Sequence, residues 1–401
     1  MATGGAAQAA VIPGLADSDP EMFDSALLST SGANVERFRV IVPWDVATRG
    51  PNHPYYARRQ EFESWISKFV AYKATHPAAT FNVGFERINI REPNVPASGG
   101  KEATTMLGHA PTGAQYKAAF TAFLSAFGQH MSYMRIDPWN EPNYNPGNAS
   151  RPLLPGGTAG VGPYLFQEDA GSCNTSNPQA ETCGPRMAAY YYRWANEQCE
   201  LASIACNLEA GEFAGGVSPD YIQKYKHHMG AVIRPTIWGV HNYSDVTTYQ
   251  ANGDSSPDEL RKMVREILCV NTSNTGVALG SHSCTTSTNW GSEWRKGARI
   301  WVTATGAGYT FSCGEHPTIP ACGGSSPPVY VSDTQLAHSQ CDAVAWMMRW
   351  DNVDSRVDRV YHYTYMDPNF QSGSDDTGVV NTAGTVARPA YDVLRNAWTS
   401  C

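Results

Sequence analysis

Short β-rich runs alternate with helical patterns from one end of the chain to the other, and this alternation constrains the fold more than any other feature. It is the signature of a parallel sheet wrapped by helices, because parallel neighbours need a long crossover between them. Eight such runs occur, near Val11–Leu15, Phe38–Trp44, Phe81–Arg87, Met134–Asn140, Ile204–Glu212, Thr236–Tyr243, Arg299–Thr305 and Arg359–Met366. Eight strands predict an α/β fold of the single (β/α)8 TIM-barrel type. The 401 residues fit one large barrel, assigned to 11–401 behind a disordered or added segment at 1–10.

Helices are expected over 58–75, 112–130, 185–202, 219–229, 257–268, 333–349 and 388–398, with a poorer one near 21–29. Thr112 with Gln115, Ser256-Pro257 with Glu259, and Ser332 with Gln335 have the spacing by which side chains cap a first turn, and Ser218-Pro219 is a weaker start signal. Three insertions, Tyr144–Gly184, Gly306–Val331 and Asp367–Ala387, follow strands and belong on the face where barrels build their sites. Cys269–Gly297 follows a helix instead, so Trp290 and Trp294 read as packing residues.

Lys+Arg 29 against Asp+Glu 37 gives a net charge of −8, which lacks the basic footprint of a nucleic-acid binder. No apolar run approaches the roughly 18 residues of a membrane span, so neither nucleic acid nor membrane is an expected partner. Eleven Trp and 20 Tyr favour ligands with an apolar face and polar edges, such as sugars. All ten cysteines lie after residue 172 and pair by proximity as Cys173 with Cys183, Cys199 with Cys206, Cys269 with Cys284 and Cys313 with Cys322, leaving Cys341 and Cys401. Zinc spacings are lacking, so five disulfides and an oxidising, extracellular compartment are expected. The start carries no signal-peptide pattern and reads as a mature secreted chain behind an added Met1. Neither a phosphate-binding glycine loop nor an HExxH or calcium loop occurs, so no cofactor or metal is expected.

The sharpest local signal is Asp137-Pro138-Trp139-Asn140-Glu141-Pro142-Asn143, which puts an Asn-Glu pair at the end of the fourth strand. Here the chain resembles the clan A glycoside hydrolases, within which WNEPN looks most like family 39 and the compact secreted form like its actinobacterial members. The resemblance implies that Glu141 is the general acid/base, Asn140 a donor to the sugar 2-hydroxyl and Asn143 a shaper of the loop. A retaining enzyme needs a second carboxylate about 5–5.5 Å away to attack the anomeric carbon. The family places it on strand seven in the pattern W-[VI]-T-E-[TVF]-G, where this chain reads Trp301-Val302-Thr303-Ala304-Thr305-Gly306. Ala304 thus occupies the nucleophile position, as an engineered Glu-to-Ala variant would. A natural pseudoenzyme and a rerouted mechanism are the alternatives.

Glu212 and Glu86 end strands five and three; a spacing of roughly 6.5–9.5 Å from Glu141 would permit inversion, although both read better as sugar-binding or supporting groups. His241-Asn242-Tyr243 matches the H-x-Y that the resemblance places beside the nucleophile, so His241 and Tyr243 are expected in the site. Phe38-Arg39-Val40 before Pro43-Trp44-Asp45 resembles the opening in which an inward Arg supports the nucleophile. Arg39 is expected to lack its strongest partner here, and Arg37 is assigned to the other face. Trp44, Tyr144, Tyr309, Tyr363 and Tyr365 are candidate aromatic subsite walls, and Asp367 a hydroxyl binder. Asn148, Asn174, Asn242 and Asn271 match the glycosylation pattern and receive no function.

The resemblance implies a secreted retaining β-glycoside hydrolase, exo-acting or disaccharide-releasing, whose partner is an oligosaccharide or glycoside. A carbohydrate-binding pseudoenzyme and an endo-acting glycanase stand beside it.

Overall fold

A computed structural model describes residues 11–29, 35–53, 55–86, 111–143, 180–217, 219–230, 233, 235–268, 297–312, 330–366, 376–381, 383–397 and 399–401. Outside the described residues lie 1–10, Tyr144, Asp367, Trp290, Trp294, Asn148, Asn174, Asn271, Cys173, Cys269, Cys284, Cys313 and Cys322, and the side chain of Cys183.

Eight parallel strands form the sheet: β1 (Ile12–Ala16), β2 (Arg37–Pro43), β3 (Thr80–Glu86), β4 (Met134–Asp137), β5 (Ala210–Phe213), β6 (Ile237–His241), β7 (Arg299–Thr305) and β10 (Val357–His362). A small hairpin of β8 (Thr310–Ser312) and β9 (Tyr330–Ser332) interrupts the series. The order β4-β3-β2-β1-β10-β7-β6-β5 leaves β4 and β5 as the two ends. They meet at one parallel bridge, Ile136 to Leu208, where Ile136 N donates to Asn207 O at 3.0 Å and Glu209 N to Ile136 O at 2.8 Å. The sheet therefore closes into the expected (β/α)8 barrel.

Around it run α1 (Tyr56–Thr75), α2 (Gly113–Phe127), α3 (Ala180–Leu201), α4 (Pro219–Met229), α5 (Tyr243–Asn252), α6 (Asp258–Leu268), α7 (Gln340–Met347) and α8 (Pro389–Asn396). Alternation along each strand decides which side chains meet the helices. Phe38, Val40 and Val42 of β2 and Phe81, Val83 and Phe85 of β3 are buried. Phe69 of α1 lies 5.8 Å from the Phe38 ring and 4.7 Å from Phe81, and Phe123 of α2 lies 4.9 Å from Phe85. Each such side chain contributes about 1.5–3 kcal/mol by leaving water.

Helix starts follow local chemistry only in part. Thr112 and Gln115 form the expected capping box on α2. Ser332 and Gln335 also form one, but it starts a 3-10 turn at Asp333–Gln335, and α7 begins later behind Ser339 and Asp342. On α6 the expected Ser256 and Glu259 cap is replaced: Asp245 of α5 accepts from Glu259 N at 3.2 Å and Leu260 N at 3.0 Å. Glu259 turns away to accept from Gly216 N. Near 21–29 the chain makes a 3-10 turn at Pro20–Asp24 and one helical turn at Ala26–Ser29.

The barrel interior is polar. Asn82 donates to Glu209 at 2.8 Å, and the guanidinium carbons of Arg359 and Arg135 lie 3.9 and 5.3 Å from the Trp301 ring centre. Arg37 belongs to this side, not to the opposite one: two residues from Arg39, it shares that residue's face and meets the field of Arg359 and Tyr361.

Disulfides Cys199–Cys206, as paired by proximity, and Cys341–Cys401, the two cysteines left over by that pairing, are present. The second and third insertions meet: Tyr309 N donates to Asp376 O at 2.7 Å, and Arg388 pairs with Asp376 at 2.6 Å. Among the described residues, no helix is long and apolar enough to cross a membrane, and no three His, Cys, Asp or Glu side chains group as a metal site.

Candidate active site

The C-terminal ends of β4, β5 and β6, with the interiors of β2 and β7, bring Arg39, Asn140, Glu141, Glu212, His241 and Thr303 into one hydrogen-bonded constellation. His241 is its centre. Its Nδ1 lies 2.7 Å from Glu141 Oε1 and its Nε2 lies 2.6 Å from Glu212 Oε2, so one imidazole bridges two carboxylates.

The two glutamates share an unusual backbone. Glu141 has φ 45° and Glu212 has φ 49°, in the left-handed region that non-glycine residues seldom occupy. Such conformations cluster at functional sites, where surrounding contacts hold them in place. For Glu141 the holding contacts are Asn143, which donates to Ala214 O at 3.0 Å and accepts from Ala214 N at 2.8 Å, and Tyr221, which donates to Pro142 O. Upstream, Trp139 stacks on Tyr191 with centres 4.5 Å apart. For Glu212 the strain accompanies a register shift between Gly211 and Phe213, which lets Glu209 and Glu212, three residues apart, both enter the barrel.

Exposure separates them: the Glu141 side chain is 25% accessible and the Glu212 side chain 0%. Glu212 Oε2 accepts from His241, from Arg39 Nη2 at 3.1 Å and from Thr303 Oγ1 at 2.5 Å. Burial alone would raise this carboxyl, but Arg39, His241 and Thr303 together hold it below the usual range. Behind it, burial and the Glu212 charge push Asp137 and Glu209 well above the usual range. Burial works against the His241 imidazolium, and the hydrogen bonds to Glu141 and Glu212 outweigh it, raising that ring.

Arg39, expected to lack a carboxylate at 304, has one in Glu212 instead. Its Nη2 donates to Asn140 Oδ1 at 2.7 Å as well as to Glu212, so the fully buried guanidinium is paired across the barrel. Asn140 Nδ2 points to Glu86 Oε2 at 3.4 Å, which puts Glu86 at the rim of the same group.

Ala304 is buried on β7 in register with His241, and its carbonyl accepts from Asn242 N at 3.1 Å. Tyr243 stands edge-on to His241 with ring centres 6.3 Å apart; burial and then the Glu141 charge push its hydroxyl well up. Gly306 leaves room beside it, since a Cβ there would lie 2.6 Å from Tyr363 O and 3.4 Å from Tyr243.

The aromatic candidates divide. Tyr309 and Tyr363 are exposed, and Tyr309 carries Arg388 4.0 Å above its ring. Trp44 is buried and belongs to the hydrophobic core. Tyr365 is a packing residue and no subsite wall: it is fully buried, donates to Ser25 Oγ at 2.8 Å and packs on Tyr391. Asn242 is buried, with its amide on Asp245. Thr303 escaped the sequence reading; its alternation with Trp301, two residues back on the same strand face, was the available signal.

No protein-family model and no curated protein matches the chain. Solved structures do. A GH53 catalytic domain from Ignisphaera aggregans aligns at TM-score 0.54 and 11% identity over 99% of this chain and 98% of its own. A GH5_18 protein from Streptomyces cattleya, in complex with GlcNAc, aligns at TM-score 0.52 and 12% identity over 98% and 80%. A monomeric β-xylosidase from Caulobacter crescentus aligns at TM-score 0.50 and 13% identity over 96% and 67%. At such identities the likeness is one of fold: this chain has the barrel in which those glycoside-hydrolase structures are built.

Proposed function

We propose that the chain is a secreted retaining β-glycoside hydrolase, most similar to family 39, whose nucleophile position holds Ala304, so that it binds glycosides and scarcely cleaves them. The observation that carries this reading is the convergence of Asn140, Glu141 and His241 at the strand ends beside Ala304. Glu141 is the only one of the two bridged carboxylates that reaches the cleft, as an acid that must protonate a leaving oxygen requires. Hydrolysis would pass through a glycosyl ester on a glutamate at 304, with Glu141 first giving a proton to the leaving oxygen and then taking one from water. Asn140 and Tyr309 would bind sugar hydroxyls and faces. The disulfides support an extracellular home.

The test is hydrolysis of a panel of p-nitrophenyl mono- and disaccharide β-glycosides by Ala304→Glu beside the unaltered chain. A rate gain of about 10³-fold or more is expected, since removing one member of a cooperating set costs several orders of magnitude. The best substrate would name the sugar. Activity in the unaltered chain would overturn the assignment of 304 and move the search to Glu86.

A second reading is a carbohydrate-binding protein in which alanine is native at 304. One observation favours it: the Arg39 guanidinium already has a carboxylate partner, Glu212, without one at 304. Glycan binding without hydrolysis in either chain would select it.

A further inference from the structure

Two hydrogen bonds join three groups in the Glu141, His241 and Glu212 clasp, and each bond needs one proton. The clasp therefore holds two protons, and two arrangements satisfy both contacts with Glu212 ionised. In one, both protons are on the imidazolium and both carboxylates are ionised. In the other, the Nδ1 proton has crossed to Glu141 Oε1: one N–H bond breaks, one O–H bond forms, and the ring is neutral with its hydrogen on Nε2. Putting that proton on Glu212 instead, with Nε2 as the acceptor, is opposed by the Arg39 and Thr303 donors that already converge on Oε2.

We propose that Glu212 is a positioning residue: it pins a proton on Nε2 of His241 and so turns Nδ1 to Glu141, making the ring and Glu141 one shared proton store. The fold is built for this. A carboxylate 0% exposed and ion-paired to Arg39 cannot reach a sugar in the cleft, and Gly239 makes its place, because a Cβ there would lie 2.7 Å from Glu212 Cδ and from Glu209 Oε1. Other charged or titratable groups facing the clasp are Arg39 from β2, Asp137 from β4, Glu209 just before β5 and Tyr243 from the start of α5. None of them replaces either bridge.

In the proposed reaction, on which this role rests, Glu141 gives its proton to the leaving oxygen and leaves a carboxylate facing a bare Nδ1. That contact then lacks its proton, so Glu141 is driven to take one from the incoming water. Glu212 thus sets when Glu141 is acid and when it is base, without touching substrate.

Nitrogen-15 NMR of the histidine rings in the full chain tests this, with His241 assigned by its loss in His241→Asn. Nε2 is expected to stay protonated from about pH 5 to about pH 9 while Nδ1 titrates. Glu212→Gln should lower the ring's titration midpoint by about 1–3 pH units, because an adjacent negative charge is removed. A neutral ring protonated on Nδ1, or an unmoved midpoint, would overturn the proposal. If Glu212→Gln fails to fold, Glu141→Gln serves: its side chain reaches the cleft, and a neutral ring with hydrogen on Nε2 is expected, with hydrogen on Nδ1 the contrary result. These signals need no turnover. An inactive Ala304→Glu would sink the glycosidase reading while leaving the tautomer result standing.

Discussion

The exits of β4 and β5 present the same residue in the same strained conformation on the same histidine, and differ in what surrounds it. Glu141 stands at an open rim, whereas Glu212 lies under it among Arg39, Thr303 and His241. Identical chemistry thus acquires two roles from its surroundings: the rim group is free to exchange protons with a ligand, and the buried group is fixed as a charge by Arg39, His241 and Thr303. The difference also predicts what each is worth to the fold, since removing one partner of a buried ion pair strands the other, while an exposed side chain is replaced by water.

Truncation can break the comparison. Glu212→Ala should destabilise the protein by about 3–5 kcal/mol in denaturant unfolding, because Arg39 then keeps its buried charge without a carboxylate. A loss near zero would mean that Arg39 finds Asp137 or Glu209 instead. Gly239→Ala should cost about 1–3 kcal/mol, since its methyl group intrudes on both buried glutamates; it sharpens the comparison by disturbing Glu212 and leaving Glu141 in place. Glu141→Ala should change stability by about 1 kcal/mol or less. In the Ala304→Glu background, the same truncation should slow cleavage of poor leaving groups by about 10²–10⁴-fold. Equal stability losses at 141 and 212 would erase the distinction drawn between them.

Much of this was legible in the sequence. The strand runs stand out because parallel strands buried under helices read as apolar stretches, and seven of the expected helices fall on or overlap helical segments of the fold. Helix α5 was missed because only Asn242 separates it from β6, and the run to Tyr243 reads as the end of the strand. The rim of the site was legible for a different reason: Asn140, Glu141, His241 and Tyr243 sit in short motifs at strand ends. Glu212 was noted only as a strand-end acid, and its burial was not legible. In a regular strand Glu209 and Glu212 face opposite sides, and only the register shift at Gly211 brings both inward. Nothing local announces that shift, and the partner that balances Arg39 therefore came from a strand far from it in sequence. The side given to Arg37 failed for a simpler reason, since residues two apart on a strand share a face.

The seam of the barrel has a further consequence. β4 and β5 are the ends of the sheet, joined by a single backbone bridge below and by the Asn143 amide above, and the two glutamates are carried by these same two strands. His241 therefore fastens the cylinder where it is weakest as well as holding the proton. A substitution at His241 or Glu212 therefore bears on closure as well as on chemistry, so a chain that does not cleave still has a mechanical reason to keep them.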